Sequence, residues 1–215
     1  GGAAALVLLL LGIPFLNARF ENGDARTLPR SSEVRATALL LADRFPARGA
    51  DPVTGLRHPE SGQWPRVLGA GLDGARVHAD GVGGRTTCRD DDAGAACRNG
   101  AKALPVALSV HMPLDLVILM LGTNDLKAVH GGRAVSAQAG IRRLAEIVEL
   151  FPYKPRSAKP RLLIVAPPAC GPNAAGGRIV SESELLAPLY RSLATELDCA
   201  FFDAGTVARA SAVDG

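Results

Sequence analysis

Aromatic side chains are scarce in this chain, at 4% of 215 residues, and no basic stripe is interleaved with them. A nucleic-acid surface needs clustered Lys and Arg, with aromatic platforms where single strands stack. Charge here is mixed in sign along the chain and sums to +3, which argues against nucleic acid as a partner. Cysteine is sparing too. Cys88, Cys97, Cys170 and Cys199 form no Cys-x-x-Cys pair and no Cys/His cluster at ligand spacing, so the chain reads as needing neither metal nor cofactor. Cys88 and Cys97 flank a polar Asp/Gly/Ala loop; they either pair in an oxidising compartment or, like the other two, stay free thiols. No repeat and no low-complexity tract is found. No apolar run reaches the roughly 20 residues of a membrane span. The longest, "AAALVLLLLGIPFL" at 3–16, has the length of a secretory signal core, although an initiating Met and a basic lead-in are missing and the region around Ala18 is an untidy cleavage site. Read as a signal remnant, it makes the product secreted or periplasmic. Read as a short anchor, it supplies the one membrane contact; otherwise the location is cytoplasmic.

What is present is a core. With 47% apolar and 21% charged residues the chain fits one globular domain, expected over 37–215 after an apolar segment and linker at 1–36. Five apolar runs read as strands: "TALLLA" (37–42), "ARVHA" (75–79), "DLVILML" (115–121), "RLLIVA" (161–166) and "AFFDA" (200–204). Helical periodicity lies between them. Over 134–150, Ala137, Ile141, Leu144 and Val148 share a face, and Leu186, Leu189, Leu193 and Leu197 repeat the pattern. Ser181 and Glu184 have capping-box spacing, although Pro188 fits a helix that begins one turn later. Shorter helices are expected at 63–72 and 101–108. Strands alternating with helices predict a parallel, doubly wound α/β sheet, whose site lies beyond the carboxyl ends of the strands.

That rule directs attention to "GTND" after the third run and "DGVGGRTT" after the second. Asn124 could present an amide donor there, and Gly84 a backbone N–H with no side chain in the way. Two such donors converging on one point would form an oxyanion hole for acyl transfer. Alternatively, Asn124 and Asp125 build a turn and cap the next helix.

"PLDLVILMLGTNDLK" resembles the third conserved block of the SGNH (GDSL-type) hydrolases, whose hallmark is Gly-x-Asn-Asp. "DGVGGRTT" resembles their second block, and "DPVTGLRHPESGQWPRVL" the stretch after their first. "RNGAKALPVALSVHMPLDL" and "FFDAGTVARASAVDG" are similar to the bacterial arylesterase and acyltransferase branch. The resemblance, from about Gly49 to Gly215, implies a flavodoxin-like three-layer α/β/α fold around a five-stranded parallel sheet. It implies an ester hydrolase acting on small-molecule acyl esters without metal, through serine, histidine and aspartate. Carried over, Asn124 matches the oxyanion amide, Gly84 the oxyanion backbone donor and Asp214 the aspartate of Asp-x-x-His. Gly83 replaces a commoner Asn or Ser. The segments around 88–100 and 169–183 are expected to select the ester. Oligomeric state is not legible.

The same resemblance exposes two departures. Where the family has Gly-Asp-Ser-x-Thr-x-Gly, this chain has "DRFPARG" at 43–49, with Phe45 or, shifted by one residue, Arg44 at the serine position. The family histidine falls three residues beyond Asp214, past Gly215. Of the histidines present, His111 reads as structural, His78 as part of the second strand, and His58 and His130 as surface residues. Codons for Phe-Pro and Ala-Arg-Gly can hold Ser and Thr-Trp in another frame, so the expectation is an ester hydrolase altered at the N-terminal end and truncated at the C-terminal end. The alternative is a non-catalytic relative that binds an acyl or glycan ligand.

Overall fold

The computed structural model describes residues 63–72, 74–92, 96–155, 157–172 and 177–209. The expected strand at 37–42, the motif at 43–49, His58, the apolar run at 3–16 and Asp214 lie outside the described residues. Among the described residues no helix is long and apolar enough to cross a membrane.

The elements in chain order are α1 (Trp64–Gly71), α2 (Gly100–His111), β1 (Leu116–Leu119), α3 (Ala134–Leu150), β2 (Arg161–Ala166), α4 (Val180–Glu184), α5 (Leu186–Glu196) and β3 (Ala200–Asp203). Two short 3-10 turns, Thr123–Leu126 and Ala128–His130, follow β1. The three strands form one parallel sheet in the order β1-β2-β3, with Val117 opposite Leu162 and Ile164 opposite Phe201. An α/β chain with a parallel sheet is therefore observed. The run at 75–79, expected as a strand, has no ladder partner among the described residues.

Periodicity explains why the elements sit where they do. β1 and β2 are apolar without alternation because both faces are covered. Val117, Leu119, Ile164 and Ala166 enter one cluster with Ile141 and Leu144 of α3 and Leu193 of α5. Leu116, Leu163 and Val165 enter another with Leu68 of α1. The predicted stripe of α3 is the buried one, since Ala137, Ile141, Leu144 and Val148 are each at most 3% exposed.

Helix starts are where local reading and tertiary structure part. Asn99 caps α2 through its own Oδ1, which accepts from the Ala101 and Lys102 amides at 3.0 and 3.3 Å. The capping box of Ser181 and Glu184 does not form, because α4 is a five-residue stub without a side-chain cap. Pro188 instead lies in the first turn of α5, where its missing N–H costs no intrahelical bond. Glu182 serves a different helix: its Oε2 accepts from the Ala134 amide at 2.7 Å, placing a negative charge at the start of α3.

One close approach brings α3 onto the loop before α2. A Cβ added at Gly140 would collide with Thr87 Oγ1 and Cβ. Alanine is the better helix former by about 1 kcal/mol, but overpacking costs about 1–3 kcal/mol. Gly140→Ala is therefore expected to lower stability by up to about 2 kcal/mol, read as a lower urea midpoint at unchanged slope. A raised midpoint would show that helix propensity outweighs the clash.

Candidate functional site

Three residues beyond β1 lies a glycine with no room for a side chain. Gly122 has φ +125°, and a Cβ there would collide with the hydroxyl of Tyr190. Tyr190 is fully buried, donates to the Leu121 carbonyl at 3.0 Å and has its phenol held well above the ordinary range by burial. This contact turns the chain sharply into the 3-10 turn that carries Asn124 and Asp125.

The two side chains then diverge, and neither caps a helix. Asp125 is 2% exposed. Its carboxylate accepts from the Thr87 amide at 2.9 Å and from the Thr87 hydroxyl at 2.6 Å, bridging 38 residues of sequence. The 84–87 loop is held from the other side as well, because the Gly100 and Ala101 amides at the start of α2 donate to the Thr86 and Thr87 carbonyls at 3.1 and 3.0 Å. Asn124 reaches the same loop one turn earlier, its Nδ2 donating to the Arg85 carbonyl at 3.0 Å. The amide of Asn124 thus sits one residue from Gly84, so two of the residues expected at the site are brought together. Gly84 itself has φ +84°, and the Arg98 guanidinium packs where its side chain would be. The third expected residue, Asp214, lies outside the described residues.

Charges surround this junction in pairs. Asp91, its side chain 8% exposed, binds Arg98 at 3.0 Å and Lys127 at 3.1 Å, and lies 3.7 Å from His130 Nε2. One carboxylate thus ties the 88–98 segment to the turn after Asn124. His130 was expected on the surface, yet its side chain is 7% exposed, because the second 3-10 turn folds it in against Asp91. His78 and His111 stack with ring centroids 4.3 Å apart; burial and the neighbouring His111 both lower the pKa of His78. On the far side of Asn124, Arg178 donates from Nη2 to Asn124 Oδ1 at 2.7 Å and from Nε to the Thr123 carbonyl at 3.1 Å.

The described cysteines are all free thiols. Burial pushes the Cys88 thiol up, against a lowering hydrogen bond from Thr87, which makes it a poor nucleophile near neutrality. Among the described residues no group of three or more His, Cys, Asp or Glu side chains could hold a metal ion. What the junction offers is the Asn124 amide, fixed between the Arg85 carbonyl and the Arg178 guanidinium beyond the end of a parallel strand.

The sequence matches the model of the GDSL-like lipase/acylhydrolase family over residues 43–214. The chain belongs to this family. Solved relatives of the lipase/acylhydrolase chain agree with the match. A protein named as an arylesterase from Agrobacterium tumefaciens is 67% identical with a TM-score of 0.74, over 79% of this chain and 84% of that one. A carbohydrate acetylesterase family member from Sinorhizobium meliloti is 44% identical with a TM-score of 0.73, over 79% and 83%. The aryl esterase of M. smegmatis is 34% identical with a TM-score of 0.67, over 74% and 78%. Among curated proteins none matches. The family and these neighbours are esterases and acylhydrolases, so the chain is a hydrolase at the level of its family.

Thr87, Asp91 and Arg178 were not singled out in the sequence, and Asp125 was read only as a turn or cap residue. No local pattern marks their contacts to the 124–127 segment, each of which spans 36 or more residues. The buried Asp125 carboxyl is held above its ordinary 3.8, by burial first and against the Thr87 donors. A folded state that binds the proton more tightly loses stability as pH rises from the unfolded value through the raised folded one. Asp125→Asn sets an NH2 against one of the Thr87 donors and should cost about 1–3 kcal/mol at neutral pH. The variant lacks the titration, so its deficit should be larger at low pH and narrow as pH rises across that window. Urea unfolding at several pH values measures this; a deficit that widens with pH would contradict it.

Proposed function

We propose that this protein carries the site of an ester hydrolase for small acyl esters, one that works through an acyl-enzyme with Gly84 and Asn124 as the oxyanion donors and Asp214 orienting the histidine of the triad, while residues 43–49 as written hold no serine. The observation that carries the reading is the Asn124 amide held on the Arg85 carbonyl, one residue from Gly84, at the carboxyl end of a parallel strand. In the reaction, serine attacks the acyl carbon while histidine takes its proton. The carbonyl oxygen becomes an oxyanion, and the Asn124 amide and Gly84 N–H stabilise it. Collapse expels the alcohol, and water releases the acid by the same route. The relatives named as arylesterase and carbohydrate acetylesterase favour short acyl groups on an aryl or sugar alcohol. The five-stranded, three-layer sheet belongs to the same proposal, with 37–42 and 75–79 supplying the remaining strands.

A second reading has one observation in its favour: Phe45 or Arg44 stands at the position of the family nucleophile, and neither side chain can attack an ester. In that reading the pocket binds an acyl or glycan ligand without turning it over. Ester turnover with a phosphonate inhibitor separates the two in a chain bearing serine and histidine at the family positions: the first reading expects phosphonate-sensitive hydrolysis there, the second none. The chain as written should show no phosphonate-sensitive hydrolysis, its donors alone leaving about 10³-fold over water. Covalent phosphonate labelling, read by intact mass, would establish a nucleophile and remove the second reading.

In a chain bearing serine and histidine at the family positions, Asn124→Ala is expected to lower kcat by roughly 10² or more with little change in KM. An effect confined to KM would take Asn124 out of the oxyanion hole.

A further inference from the structure

Asn124 is gripped from a segment 54 residues away, and the grip determines which atoms its amide can offer. We propose that Arg178 is a positioning residue, fixing the polarity and direction of the Asn124 amide; this rests on the oxyanion reading above.

The hydrogen-bond inventory leaves one orientation. A guanidinium only donates and a backbone carbonyl only accepts. With Arg178 Nη2 at 2.7 Å on one end of the amide and the Arg85 carbonyl at 3.0 Å on the other, the oxygen must face Arg178 and the nitrogen Arg85. One Nδ2 hydrogen is spent on Arg85. The second is left for an oxyanion. Turned over, the amide would aim its oxygen at the developing negative charge. Arg85 alone resists this with a neutral hydrogen bond, and Arg178 adds a charge-assisted one, roughly twice as strong. The guanidinium charge of Arg178 beside Oδ1 also draws electrons from the amide and makes its N–H groups better donors.

The geometry is that of a brace. Nε on the Thr123 carbonyl and Nη2 on Asn124 Oδ1 use two donors of one rigid plane on adjoining residues. The backbone follows: Lys127 and Arg178 form an antiparallel bridge, and the Ile179 amide donates to the Leu126 carbonyl at 3.2 Å. Main chain and side chain therefore clasp the same turn. Both of these donors are aimed at protein acceptors, which sets Arg178 apart from a cation that meets substrate.

The test needs no turnover. Acetate, the carboxylate product of an acetyl ester, is titrated into 15N-labelled full-length protein, and the Gly84 amide signal reports occupancy in wild type, Asn124→Ala, Arg178→Ala, Arg178→Lys and the Asn124→Ala/Arg178→Ala double variant. Wild type should show a saturable shift. Arg178→Ala and Asn124→Ala should each weaken acetate by about tenfold. The double variant should be no weaker than Asn124→Ala, because Arg178 acts through Asn124. Arg178→Lys keeps the charge and the fold but loses the fork, so it should fall between wild type and Arg178→Ala. Three results overturn the assignment. In the first, Arg178→Ala binds like wild type while Asn124→Ala is weakened. In the second, the loss from Arg178→Ala persists in full in the Asn124→Ala background, which makes Arg178 a direct anion contact. In the third, Arg178→Lys equals wild type, which reduces the role to charge alone. Failure of the underlying reading looks different: Asn124→Ala then binds acetate normally, or wild type shows no saturable shift.

Discussion

The carboxylate of Asp125 on the amide and hydroxyl of Thr87 is the link on which the site depends. It joins the end of β1 to the loop entering α2, two segments with no sheet ladder between them. A buried carboxylate is tolerated only when its lone pairs are satisfied, and these two donors satisfy it at the point where the loops must meet. Everything nearby is built to permit that meeting. Gly140 brings α3 close behind Thr87, Tyr190 seats the turn at Gly122, and the α2 amides hold the Thr86 and Thr87 carbonyls. The result is that the Asn124 amide is held on the Arg85 carbonyl, one residue from Gly84.

A second set of contacts handles charge. Cations crowd this end of the sheet, with Arg98 over Gly84, Lys127 after the Asn124 turn and Arg178 on Asn124 itself. Left unpaired they would repel one another and draw anions indiscriminately. Asp91 takes up two of them, and being largely buried it does so with little screening. Arg178 meets the Asn124 amide at Oδ1, and on the proposed oxyanion reading its charge acts through that amide as an oriented dipole. A dipole fixed in advance stabilises a transition-state charge without having to reorganise when the charge appears.

Local rules read well wherever the interaction was local. The stripe of α3, the strands at 161–166 and 200–204, the core of the run at 115–121 and the later start of the last helix were all legible, because burial on one face of a helix or both faces of a strand imprints a period on the sequence. The capping box of Ser181 and Glu184 failed because the helix there is a five-residue stub with no side-chain cap, and the neighbouring Glu182 instead serves the α3 N-terminus, which no window around residue 181 contains. The run at 75–79 has strand composition but no ladder partner among the described residues, and strand propensity has no force without one. His130 looked like a surface histidine because nothing near it in sequence reports Asp91.

The sequence by itself determined the class of the protein: the order of the motifs, the parallel α/β sheet, and Gly84 and Asn124 as the residues to watch. It did so because glycine at a forced backbone angle and an amide at a strand end are choices a short segment reveals. Only the tertiary structure decided how those residues are held. Thr87, Asp91 and Arg178 are ordinary polar residues in their own windows, and their contacts to the 124–127 segment reach partners 36 to 54 positions distant. Hydrogen bonds and ion pairs have directions fixed by three-dimensional packing, and direction is what one-dimensional order does not carry.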